Sequence, residues 1–192
     1  MSAEERRASI MRAATVVFAR GSYASATTAA IAREAGITEP VLYRHFPGKA
    51  ALYGACLVAA WESLRARWEA ILEAEPDPRR WLALVAEAGF AALDDEHDAA
   101  RLWLFAITDL ADDPKARPHV VAFTRDVHAH ITGIFERAQA AGAIAADLDP
   151  RAEAWTFLSI GAMRSISRRL DGIADPDFPA VLAARQAWYA GR

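Results

Sequence analysis

Apolar positions in this chain recur every three or four residues, and nowhere do they alternate over a strand-length run. That period matches the turn of an α-helix, so the pattern predicts an all-α fold of about nine helices. Ile10, Met11, Ala14, Val17 and Phe18 form one stripe, which predicts a first helix from Ala3 to Arg20. Ser2 and Glu5 stand at its start as a capping box, each able to satisfy an orphan backbone N–H of the other. Leu52, Tyr53, Cys56, Leu57, Trp61, Leu64, Trp68 and Leu72 predict a long helix from Lys49 to Glu73. Further helices are predicted at Arg80–Leu93, Ala99–Ala111, Lys115–Ala141, Pro150–Leu170 and Phe178–Tyr189. Pro76-Asp77-Pro78, Asp112-Asp113-Pro114, Gly142 with Asp147 to Pro150, and Asp171 to Pro176 separate them. Pro118 is expected to kink or interrupt its helix.

Between the first helix and the long one lies TTAAIAREAGITEPVLYRHFPGK, Thr27 to Lys49. It has the layout of a helix-turn-helix. Ala32 is small enough to let two helices cross closely, Gly36 makes the turn, and Leu42 anchors the second helix. Thr27 is placed to cap the first of the pair and Thr38 the second. Gly36 suits the left-handed conformation that ends a helix, and Pro40 falls in a first turn, where its missing N–H costs nothing. At about 100° per residue, Leu42 and Phe46 turn inward while Pro40, Tyr43 and Arg44 turn outward. An ordinary helical hairpin can share the Ala-x3-Gly spacing. The caps, the outward Tyr43 and His45, and the following Lys49 distinguish this one.

The outward face suits duplex DNA. Tyr43 and His45 can donate to phosphate oxygens, Lys49 adds charge, and the N–H groups around Thr27, Thr28 and Gly48 can receive phosphate. Glu39, Pro40, Val41 and Arg44 are placed for base edges. Arg44 can take guanine, Glu39 can accept from cytosine, and Val41 can touch a thymine methyl. Charge agrees with this. Residues 1–50 hold seven Lys or Arg and four acids, an excess of three positive charges, while the whole chain carries −3, so the rest carries −6. A basic head on an acidic body turns the head toward polyanions.

The segment resembles the TetR family of bacterial transcriptional repressors. Phe18-Ala19, Tyr23, Thr27, Ile31-Ala32, Ala35-Gly36, Thr38, Leu42-Tyr43, His45-Phe46 and Lys49 carry the resemblance, over about the first quarter of the chain. Two places depart from the family pattern. Ser22 stands where the family has glycine before the aromatic, with Gly21 one place earlier, and Ala30 replaces a frequent charged residue. The resemblance implies a DNA-binding domain over 1–48 and an effector-binding and dimerisation domain over 49–192. It implies a homodimer on a pseudo-palindromic operator, and a repressor released by a small, hydrophobic effector.

The body supplies candidates for both expected roles. All six tryptophans lie beyond the head. Trp61, Arg65, Phe90, Trp103, Ile107, Phe123, Val127 and Phe157 are the residues expected to line an effector cavity. Trp155, Leu158, Gly161, Ala162 and Ser165 form one stripe, and Val181, Leu182, Arg185, Trp188 and Tyr189 a second. The resemblance implies that these two stripes pair with their copies in a dimer. They can instead pack only inside one subunit.

Other chemistry is not expected. Asp94-Asp95-Glu96-His97-Asp98 reads as a solvated helix junction, and His128 and His130, two apart on a helix, face different ways. No catalytic residue, metal site or cofactor is predicted, and the protein is not expected to be an enzyme. One cysteine, Cys56, argues against a disulfide framework and reads as a small buried residue. With no signal-peptide pattern and no apolar run near ~20 residues, a cytoplasmic protein without membrane contact is expected. Two rivals remain: a DNA-binding architectural protein without an effector, and a helical enzyme or carrier that borrows the head.

Overall fold

The computed structural model describes residues 2–20, 23–94, 102, 106, 110, 113–189 and 191. These residues form eight α-helices: α1 (Ala3–Arg20), α2 (Thr28–Glu34), α3 (Glu39–His45), α4 (Lys49–Ala74), α5 (Trp81–Asp94), α6 (Arg117–Ala140), α7 (Pro150–Arg169) and α8 (Phe178–Tyr189). A single 3₁₀ turn, Pro78–Arg80, precedes α5. No strand occurs among the described residues. The fold is all-α as expected. The helix predicted over Ala99–Ala111 lies largely outside the described residues, as does the acidic run at 95–98.

Local chemistry sets the helix ends. The Ser2 N–H donates to Glu5 Oε2 at 2.6 Å and the Glu5 N–H to Ser2 Oγ at 3.1 Å, the reciprocal box that starts α1. Asp77 Oδ1 accepts from the Arg79 N–H and Asp149 Oδ1 from the Arg151 N–H, which starts the 3₁₀ turn and α7. Gly142 ends α6 at φ +68°, and the Ala143 N–H closes onto the Ala138 carbonyl. Pro118 does not kink its helix. Asp113 Oδ1 accepts from the Lys115 and Ala116 N–H groups and sets a turn there. That turn makes Pro118 the second residue of α6, where a proline N–H is not needed.

The chain divides into two compact units, Met1–Ser63 with Asp95–Thr124, and Leu64–Asp94 with Arg125–Arg192. This division does not fall at 48/49, because α4 contributes to both units. The first unit is built on Ile10, Ala14, Phe18, Ile31, Leu42, Phe46, Leu52 and Leu57, all essentially inaccessible. Tyr53 packs edge-on to Phe18 and Tyr23 at 4.8 and 5.4 Å between ring centroids. Its hydroxyl donates to the Leu102 carbonyl at 2.6 Å. In the second unit Trp68, Phe135, Phe157 and Tyr189 form a chain of edge-to-face contacts. His128 stacks on Trp155 at 4.1 Å, while His130 meets Glu69 Oε1 at 3.2 Å. The two imidazoles thus engage different partners, as their spacing requires.

Cys56 is buried at the α1–α4 contact, its thiol donating to the Met11 carbonyl at 3.6 Å. Burial pushes the thiol up to about 12, against weaker opposing effects of Thr15 and Arg7. The thiolate is the reactive form. Cys56 is therefore expected to resist alkylation at pH 8 until the fold opens, with labelling that follows unfolding in a urea series. Labelling at the rate of a free thiol in native buffer would show that α1 and α4 separate readily.

Candidate nucleic-acid interface

The geometry of α2, α3 and their turn follows from a few residues. Thr27 is the N-cap of α2, and its Oγ1 accepts from the Ala30 N–H at 3.1 Å. Gly36 takes φ +65°, and the Ile37 N–H closes onto the Ala32 carbonyl at 2.9 Å. A Cβ at Gly36 would meet nothing within 4 Å, so backbone conformation, not space, requires glycine there. Thr38 is the N-cap of α3 by position, but its hydroxyl makes no capping bond. Its carbonyl accepts from Val41 and Leu42, the first bonds of α3, and the residue is exposed.

Leu42 and Phe46 are inaccessible and bolt α3 to the head, while Pro40, Tyr43 and Arg44 are exposed and Glu39, Val41 and His45 half-buried. The predicted inward and outward faces are therefore the observed ones. Thr28 Oγ1 donates to Glu39 Oε1 at 2.6 Å and lies 3.1 Å from the Tyr43 hydroxyl, joining the start of α2 to the face of α3.

Lys49 has a role that sequence did not indicate. Its Nζ donates to the Tyr23 carbonyl at 2.8 Å and the Ala26 carbonyl at 2.9 Å, and it sits 4.2 Å from the Tyr23 ring centroid. Burial lowers its basicity, and the Asp113 carboxylate opposes that. Two of its three donors thus clamp the loop that leads into α2.

Two arginines of α1 were missed. Arg7 stacks on Phe46 at 4.0 Å and donates to the His45 carbonyl at 2.9 Å, which satisfies the C-terminal end of α3. Arg6 shares a shallow concavity with Ser2, Thr38, Val41, Arg44 and His45. Nothing local signals either placement, because Arg7 and His45 lie 38 residues apart.

Residues 10–56 match the family model described as bacterial regulatory proteins, tetR family. The match covers about a quarter of the chain and shows the TetR family for that segment. FasR of Mycolicibacterium smegmatis, an HTH-type transcriptional activator, is 33% identical over 121 residues, 63% of this chain and 54% of FasR. The nucleoid occlusion factor SlmA of Marinobacter nauticus is 38% identical over 74 residues, 38% of each chain. The chain thus spans about half, or less, of the relatives it matches. In fold it is similar to a TetR-family regulator from Rhodococcus sp., with TM-score 0.82, 23% identity, and coverage of 97% of this chain and 99% of that one. FadR of Bacillus subtilis in complex with stearoyl-CoA has TM-score 0.74 and 19% identity, over 86% of this chain and 89% of FadR.

Six of the eight predicted effector residues are among the described residues, and they fall in both units. Phe90 and Phe157 do meet, in a cleft of the second unit that Leu82, Leu182, Arg185 and Tyr189 also line. Val127 is buried on α6 in the same unit, and Arg65 is exposed. Trp61 and Phe123 are buried in the first unit. Trp103 and Ile107 lie outside the described residues.

The predicted dimer residues divide by face. Trp155, Val181 and Trp188 are exposed by 50, 42 and 52%. Leu158 and Tyr189 are buried within the subunit, and Gly161, Ala162, Ser165, Leu182 and Arg185 are half-buried. Arg185 pairs with Glu153, which also accepts from the Trp188 indole at 3.3 Å. On α7 and the turn after it, Met163, Ile166, Leu170 and Ile173 are exposed apolar residues that the sequence did not single out. Among the described residues no helix is long and apolar enough to cross a membrane.

Proposed function

We propose that this chain is a homodimeric, TetR-like transcriptional regulator, a repressor released from its operator by a small apolar effector. The observation that carries it is the division of α3, with Leu42 and Phe46 sealed in the head and Pro40, Tyr43 and Arg44 outward. Two such helices, one per subunit, would enter successive major grooves about 34–36 Å apart. The exposed apolar face of α7 and α8 is what a second copy would cover. The cleft holding Phe90 and Phe157 is the place for the effector, which must bind the DNA-incompetent state more tightly to shift the equilibrium. FadR, bound to stearoyl-CoA, supports a ligand with a long apolar chain on this fold. The reading assigns the chain no catalytic step and places it in the cytoplasm.

The test is selection of duplexes from a random pool by the full-length protein. A pseudo-palindrome should be enriched, and Arg44→Ala should relax one position in each half-site by about 1–3 kcal/mol. Failure to enrich any duplex would defeat the proposal. Likeness to SlmA favours a second reading, an architectural DNA-binding protein without an effector. A compound library that yields ligands able to displace the operator would exclude that second reading.

A further inference from the structure

The hydrogen bonds among Thr28, Glu39 and Tyr43 have a direction, set by counting protons. Thr28 Oγ1 donates to Glu39 Oε1 at 2.6 Å, and a carboxylate returns no proton. The single Thr28 proton is used there, so at the 3.1 Å contact with Tyr43 the threonine oxygen accepts and the phenol donates. Both hydroxyl protons therefore run inward, from Tyr43 to Thr28 to Glu39. Yet Tyr43 is half-exposed on the outer face of α3, and Thr28 opens α2 beside it. What these three side chains present to an approaching phosphate is lone pairs and a carboxylate, the wrong chemistry for an anion.

We propose that Glu39 is a specificity gate: it withholds the Thr28 and Tyr43 hydroxyls from phosphate until a base edge supplies a donor to its carboxylate. The inference rests on α3 being the helix that enters the major groove. On an unmatched duplex, turning the Thr28 hydroxyl outward breaks a short charge-assisted bond and takes that donor from the Glu39 carboxylate beside a phosphate, while turning the Tyr43 hydroxyl outward breaks its longer bond to Thr28. On a matched duplex the N4 amino group of cytosine, or N6 of adenine, replaces Thr28 as the donor. The released hydroxyls then face phosphate with their protons free. One residue thus penalises wrong sequences and permits the right one, and discrimination arises from both sides of the affinity difference.

A clip that merely holds α2 against α3 makes the opposite prediction on random DNA. The experiment uses the full-length protein, its selected operator, and a random duplex of the same length, titrated by anisotropy at several salt concentrations. Glu39→Gln should tighten the random duplex by roughly tenfold and steepen its salt dependence by about one unit per subunit. Operator affinity should change less, so the specificity ratio falls. Glu39→Ala, which adds no donor, should move random-duplex affinity in the same direction. Tyr43→Phe should weaken random-duplex binding more in the Glu39→Gln background than in the wild type, a coupling that a passive clip does not produce. Equal weakening of both duplexes by Glu39→Gln, or an unchanged ratio, would overturn the gate. Failure of the wild type to select any operator is a separate result that removes α3 as the recognition helix, and the gate with it.

Discussion

Ile166→Glu is expected to convert the protein to monomers and to weaken operator binding by about 10²–10⁴-fold. Trp155, Met163, Ile166 and Leu170 are exposed by 50, 47, 45 and 56%. At about 100° per residue the first three fall within one narrow arc of α7, and Leu170 caps its end. Val181 and Trp188 add an exposed stripe on α8. A soluble monomer rarely leaves such a contiguous apolar face in water. A carboxylate at its centre would be desolvated twice in a two-fold interface, once on each subunit. Each subunit would then hold only one half-site, and the loss is that of effective concentration between the two heads. Sedimentation of the variant gives the oligomeric state, and titration with operator and isolated half-site gives the affinities. Because Ile166 is exposed, the subunit fold should survive, which thermal unfolding checks. A dimer that persists with unaltered operator affinity would move the interface elsewhere.

The same stripe marks where sequence stops informing. Periodicity identified α7 and α8 as amphipathic and placed their ends within a residue, because Asp149, Pro150 and the turn after Leu170 act locally. It did not say which apolar edge faces the subunit's own core. Leu158 and Met163 are equally apolar in sequence, and only packing against the rest of the second unit buries the first and exposes the second. The head was read more fully, since a capping box, a glycine at φ +65° and a buried Leu42 each depend on neighbours a few residues away. Lys49 and Arg7 were not, because their partners lie 23 to 38 residues distant. Pro118 shows the reverse error. A proline inside an apolar period reads as a kink, but the upstream Asp113 turn resets where the helix begins.

Tyr53→Ala should destabilise the first unit by about 3–5 kcal/mol, more than any single change on the DNA face. Its ring is 1% exposed and packs edge-on against both Phe18 and Tyr23. Removing it leaves a cavity between α1, α4 and the loop that Lys49 clamps. A second cost comes from the far end of the side chain. The Tyr53 hydroxyl donates to the carbonyl of Leu102, itself inaccessible, and losing such a hydrogen bond costs about 0.5–1.5 kcal/mol. Tyr53→Phe separates the two contributions, since it keeps the ring and deletes the bond. It should lose only the second amount while preserving operator affinity, because no atom of Tyr53 lies on the outward face of α3. Urea unfolding of both variants, followed by Trp fluorescence and circular dichroism, measures the difference. If Tyr53→Phe is as stable as wild type, the Leu102 carbonyl has another donor in solution.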